Sequence, residues 1–186
     1  GIPVILVDRK INSKKYTAYV GADNYEIGRK AGEYIADRLG GKGRVIEITG
    51  LRGSTPAVER HRGMMEALKA APGVQVVASA EAGWFRQKAG EVMDTLLDAH
   101  PQVNLVFAQN DRMAIGAYEK ARQKNRAGQI AFVGVDAVAG GVESVAEGKL
   151  DATFIYPTGG DKVIQVAMAI PVSYTHLRAH ETVLDL

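Results

Sequence analysis

Short apolar runs alternate along this chain with segments whose apolar residues recur at helical spacing. Runs at 4–7, 17–20, 44–49, 74–80, 105–108, 130–135 and 151–155 predict strands. Between them, Ile27, Ala31, Tyr34 and Ile35 mark one helix face, and Val58, His61, Met65 and Leu68 a second. Ala89, Val92, Met93, Leu96 and Leu97 mark a third, and Ala114, Ala117, Tyr118 and Ala121 a fourth. A short helix follows at Val142, Val145 and Ala146, and a last one at Val163, Val166, Ala167 and Ile170. Gly40 and Gly41 stop the first helix, and Pro56 suits the first turn of the second, with Ser54 or Thr55 as its cap. Strands alternating with helices at this spacing predict an α/β fold with a doubly wound parallel sheet.

The segment 105–118 carries the most chemistry. An apolar run leads into Gln109, Asn110 and Asp111, and a helix pattern starts directly after them. In an open parallel sheet such a turn lies at the carboxyl end of the strand, where ligands bind. Asn110 can donate and accept, which suits a pair of neighbouring hydroxyls, although an ordinary turn former would look the same. Asp111 is read as the cap of the new helix.

A content of 46% hydrophobic and 24% charged residues places the chain among globular proteins rather than disordered ones. The net charge is +2 with no basic block, so no nucleic-acid partner is indicated. The absence of cysteine removes disulfides, thiol nucleophiles and cysteine metal sites together. No apolar run has the length of a membrane span. No signal peptide is visible, and its absence carries no information, because Gly1-Ile2-Pro3 leads straight into a strand and is not expected to be a natural start. The segment 50–55 lacks the lysine and glycine spacing of a phosphate loop. His61 and His100 stand apart from other ligands, so no metal is expected, and His61 reads as a helix-packing residue. No nucleophile has a base beside it, so neither an enzyme nor a cofactor is expected.

The stretch VFAQNDRMAIGAYEKARQ resembles the AQND-x-MA-x-GA signature of periplasmic sugar-binding proteins of the ribose-binding type. The likeness recurs in register at GIPVILVDR, GSTPAVERHRGM, FVGVDA and GKLDATF, and covers about residues 1–170. The effector domains of LacI-type repressors share that fold. The resemblance implies two lobes joined by a hinge and closing around a small monosaccharide. It places residues 1–22 at the end of the N-terminal lobe, 23–156 in the C-terminal lobe, and 157–171 in the helix returning to the first. Most of the first lobe is then expected to lie upstream, and an isolated piece of this extent to bind sugar poorly. Residues 172–186, which include VSYTHLRAHET, have no structural period and look like a translated sequencing adapter.

A sugar site needs charged or amide groups for hydroxyls and an aromatic plate for the ring face. The resemblance assigns these roles to seven residues. Asp8 and Arg9 follow the first strand; by position alone they read as a surface ion pair. Arg60 reads equally well as a solvated helix residue. Trp84, the only tryptophan, is the expected plate, with Phe85 as the fallback. Asn110 and Asp136 end apolar strands, and Asp136 could equally cap the helix beginning near Ala139. Tyr156 stands where many relatives carry Gln.

The function so implied is periplasmic, non-enzymatic recognition of a small sugar that feeds an ABC permease. An alternative is the extracytoplasmic domain of a fused membrane sensor kinase of the hybrid two-component type. DRKINSKKYTAYVGADNYEIGRKAGEYIA and DATFIYPTGGDKV look like the sensor-type relatives of Bacteroidetes. A further alternative is the effector domain of a LacI-type transcription repressor.

Overall fold

A computed structural model describes residues 2–170; the expected adapter-derived tail at 172–186 lies outside them. In chain order the elements are β1 (Ile5–Val7), β2 (Ala18–Val20), α1 (Asn24–Arg38), β3 (Lys42–Thr49) and α2 (Thr55–Leu68). Then follow β4 (Gly73–Glu81), α3 (Arg86–Ala99), β5 (Leu105–Ala108), α4 (Asp111–Gln123) and a short 3-10 turn at Ala127–Gln129. The rest is β6 (Ala131–Asp136), α5 (Ala139–Ala146), β7 (Ala152–Ile155) and α6 (Gly160–Ala169). Among the described residues no helix is long and apolar enough to cross a membrane.

The chain divides into two units, and Ala22–Pro157 forms the larger. It holds a five-stranded sheet in the order β4-β3-β5-β6-β7, with every neighbouring pair parallel. The chain winds outward one way from β3 to β4 and the other way from β5 onward. The switch point therefore lies between β3 and β5, and the crevice outside their carboxyl ends is where such sheets take ligands. Two cores flank the sheet. Val45, Leu105, Phe107 and Val133 pack with Ile27, Ala31, Ile35, Met64 and Leu68 of α1 and α2. Ile46, Ile48, Val106 and Phe132 pack on the other face with Met93, Leu97, Met113 and Ala117 of α3 and α4. Burial on both faces explains why these strands read as unbroken apolar runs.

The other unit contains β1, β2 and α6. The two strands pair in parallel, Ile5 with Ala18 and Val7 with Val20, and α6 lies against both.

Two expectations change. The buried side of α2 is Ala57, Arg60, Gly63, Met64 and Leu68, while Val58 and Met65 are exposed. The cause is the approach of α1. A Cβ on Gly28 would lie 2.1 Å from the Arg60 carbonyl oxygen, and one on Gly63 2.0 Å from that of Tyr25. Two glycines thus bring the helix backbones into contact, and the face they select is not the most hydrophobic one. The cap of α4 also moves. Asn110, extended at φ −152° and ψ 165°, accepts from the Met113 amide at 2.8 Å, so Asp111 is not the cap but the first helical residue.

Candidate functional site

The carboxyl end of the larger sheet is organised by Gln109, the first residue past β5. Its side chain is fully buried. Its amide nitrogen donates to Glu47 Oε1 at 2.9 Å and to the Ala57 carbonyl at 3.1 Å, and its oxygen accepts from the Gly50 amide at 3.0 Å. This side chain bridges β3 and β5 at the switch point and is not presented to a ligand. Its backbone carbonyl accepts from Arg60.

Arg60 is the centre of the site. The α1–α2 contact turns it inward, and it is only 3% exposed. Nε donates to Asn24 Oδ1 at 2.9 Å, while Asn24 is itself buried and donates to the Ala22 carbonyl. The guanidinium carbon lies 4.9 Å from the Tyr156 ring centroid and 5.7 Å from that of Trp84. A desolvated cation between two aromatic faces is held by their quadrupoles as well as by its hydrogen bonds.

Trp84 follows Gly83 and has φ +76°. Its indole lies against Gly50, where a Cβ would meet the ring at 2.1 Å. Phe85, the fallback plate, is 69% exposed. Asn110 sends Nδ2 to the Trp84 carbonyl at 3.4 Å, a long bond that leaves a second N–H on the same amide. Asp136 ends β6 with φ +118°, and the residue preceding α5 is Val138, so Asp136 does not cap that helix.

Arg60 thus contacts both Trp84 and Tyr156, with Asn110 joined to Trp84. Asp8 and Arg9 belong to the other unit. There Asp8 has φ +69°, its amide donates to the Val20 carbonyl at 2.9 Å, and its carbonyl accepts from the Tyr19 hydroxyl at 3.2 Å. The two half-exposed side chains approach to 3.5 Å. Among the described residues the non-glycine positions with positive φ are Asp8, Trp84, Asn125, Asp136 and Ala137. Three of them are candidate ligand residues, and strained backbone of this kind gathers at binding sites.

Several contributors escaped the sequence. Asn24 gave no signal, because its partner is 36 residues away. Asp111 was visible as an acid, but its contacts to Thr153 and Val138 were not. Its carboxyl is pushed above the usual range, chiefly by burial, against hydrogen bonds from Thr153, Val138 and Ala137 and the charge of Arg60. Glu47, in mid-strand and fully buried, accepts from Ser79 at 2.8 Å and meets His61 Nδ1 at 2.7 Å. The glutamate is central in this trio. Ser79 gives its proton to a carboxylate rather than to an imidazole, which is not the order a nucleophile requires.

The sequence profile described as periplasmic binding protein domain matches residues 1–177. The ribose import binding protein RbsB of Escherichia coli K12 is 41% identical over 152 residues, 82% of this chain and 51% of that protein. The solved fructose-binding periplasmic domain of the hybrid two-component system BT1754 is 56% identical with a TM-score of 0.88, covering 90% of this chain and 57% of that one. An ABC transporter solute-binding protein from Actinobacillus succinogenes, solved with bound D-allose, is 31% identical with a TM-score of 0.82, covering 90% and 60%. The chain spans about half the length of the curated relatives it matches.

Proposed function

We propose that this chain, which belongs to the periplasmic binding protein domain family, recognises a small monosaccharide without transforming it. The observation that carries this reading is the buried Arg60 held between Trp84 and Tyr156. A planar, dehydrated set of donors beside aromatic faces suits an object with hydroxyls on its rim and an apolar ring face. Arg60 and Asn110 donate to sugar oxygens, Asp136 accepts from hydroxyls, and Trp84 and Tyr156 supply apolar faces. For Asp8 as acceptor and Arg9 as donor the support is the family resemblance of the GIPVILVDR segment. Three strained backbone positions among these residues add support.

The lobe assignment follows the same reading. Residues 1–22 and 157–171 belong to one lobe and 23–156 to the other, in accord with units that change over at 21/22 and 157/158. Its location is the periplasm.

The output of binding has two readings. The 56% identity to a fructose-binding domain of a hybrid two-component system favours sugar sensing coupled to a membrane kinase, with a ketohexose as ligand. The 41% identity to a ribose import protein supports delivery of the sugar to an ABC permease. Calorimetric titration of the chain in its natural full-length context with D-fructose, D-ribose and D-allose separates them. The sensing reading expects D-fructose to bind at least tenfold more tightly than the aldoses. Preference for D-ribose overturns it in favour of import, and no heat with any of the three sinks the sugar reading.

A further inference from the structure

We infer that Asp111 is a positioning residue for Asp136, clamping the turn on which that ligand residue is carried. This rests on the sugar-site reading of Asp136 above.

Asp111 opens α4 and is fully buried, yet its carboxylate does not bind its own helix as a cap would. It reaches across the sheet instead. Oδ1 accepts from the Thr153 hydroxyl of β7 at 2.5 Å, and Oδ2 accepts from the Val138 amide at 3.1 Å. The same hydroxyl accepts from the Ala137 amide at 3.1 Å. Both N–H groups following Asp136 are therefore tied, directly or through one hydroxyl, to a single carboxylate.

The space for that carboxylate is cleared by two glycines on different elements. A Cβ on Gly134 of β6 would lie 2.3 Å from Oδ1, and one on Gly141 of α5 would lie 1.9 Å from Oδ2. Gly134 pairs with Thr153 in the sheet, and Asp136 with Ile155, so the clamp and the presented residue sit one pleat repeat apart. Asp136 and Ala137 are consecutive non-glycine residues at φ +118° and +52°. A turn of that shape persists only where its surroundings hold it, and the Asp111–Thr153 pair holds the two amides that follow Asp136. A buried, charged acceptor is a costly way to stabilise an ordinary turn. It is a direct way to fix the exit direction of β6, and with it the backbone that carries Asp136.

The test uses the chain in its natural full-length context and D-fructose as the probe. Asp111→Ala is expected to weaken binding roughly tenfold to a hundredfold, as loss of charge-assisted bonds would. Asp111→Asn, whose oxygen can still take the Val138 amide, is expected to restore most of it. In an Asp136→Asn background the further Asp111→Ala change is expected to cost less than about threefold. An equal fold-loss in both backgrounds overturns the proposal, because Asp111 would then act independently of Asp136. If Asp136→Asn alone leaves affinity unchanged, the site reading fails. The clamp is then judged by the amide resonances of Asp136, Ala137 and Val138, which Thr153→Val must shift ahead of those of α1 and α2. Unmoved turn resonances overturn it. Thr153→Val, nearly isosteric, serves if Asp111→Ala does not fold, and is expected to show the same loss of effect in the Asp136→Asn background.

Discussion

The Arg60 guanidinium stands 4.9 Å from the centre of the Tyr156 ring, joining the second helix of the larger unit to the end of its last strand. The phenol face supports the cation, so the ring matters more than the hydroxyl. Tyr156→Phe is expected to keep sugar affinity within about threefold, whereas Tyr156→Ala removes a desolvated cation–π contact worth roughly 1–2 kcal/mol. Tyr156→Gln replaces a face with an amide and is expected to fall between them. Calorimetric titration with D-fructose ranks the three, and a Phe variant as weak as Ala would show that the hydroxyl carries the role.

Arg60 should resist its conservative replacement. Lysine keeps the charge but cannot hold the Asn24 oxygen and the Gln109 carbonyl together while presenting a planar cation to two aromatic rings. Arg60→Lys is expected to destabilise the larger unit by about 1–3 kcal/mol, because it leaves buried acceptors unsatisfied. Urea unfolding followed by tryptophan fluorescence reads this directly, since Trp84 is the only tryptophan. An unchanged midpoint would show that the two hydrogen bonds contribute nothing net.

The position of Trp84 depends on a residue with no side chain. A methyl on Gly50 would lie 2.1 Å from the indole, so Gly50→Ala must move the ring or the strand end. Sugar affinity is expected to fall about tenfold, the scale of a displaced stacking plate, with a smaller effect on unfolding. Trp84→Phe in the Gly50→Ala background should recover part of the loss, since the smaller ring leaves room for the methyl. Equal affinity of Gly50→Ala and the parent would mean that Trp84 does not touch the sugar.

These cases show what the sequence makes legible. Strands buried on both faces announce themselves as apolar runs, so the alternating pattern and the parallel sheet could be read directly, and so could the strand ends where Asn110 and Asp136 stand. The buried face of α2 could not. It is chosen by the fit of Gly28 and Gly63 against the opposite backbones, and it includes an arginine that hydrophobic periodicity places outside. The same limit hid the role of Asp111. Asn110 and Asp111 are equally good caps by composition, and only the Thr153 hydroxyl, 42 residues further on, shows that the carboxylate is engaged elsewhere. Gln109 looked like part of the recognition turn, but its partners Glu47 and Gly50 lie about 60 residues back on the neighbouring strand and its turn.

The Glu47–His61 contact makes a pH prediction with a definite sign. The hydrogen bond to Glu47, aided by its charge and opposed by burial, raises the His61 pKa above its ordinary 6.5. A histidine that binds its proton more tightly when folded contributes stability that is fully present below the unfolded pKa. That contribution is lost as pH rises through the folded value. Stability should therefore decline from about pH 6.5 upward, over a window set by the raised value. The His61 side chain is 47% exposed, so solvent screening keeps the effect under about 1 kcal/mol. His61→Gln should flatten this slope while leaving the Ser79 and Gln109 bonds to Glu47 in place. Thermal midpoints of parent and variant from pH 5.5 to 8.5, a range of about one to two units around the histidine value, check it. Parallel curves would mean that His61 takes no part, whereas convergence at high pH would place the whole difference on its proton.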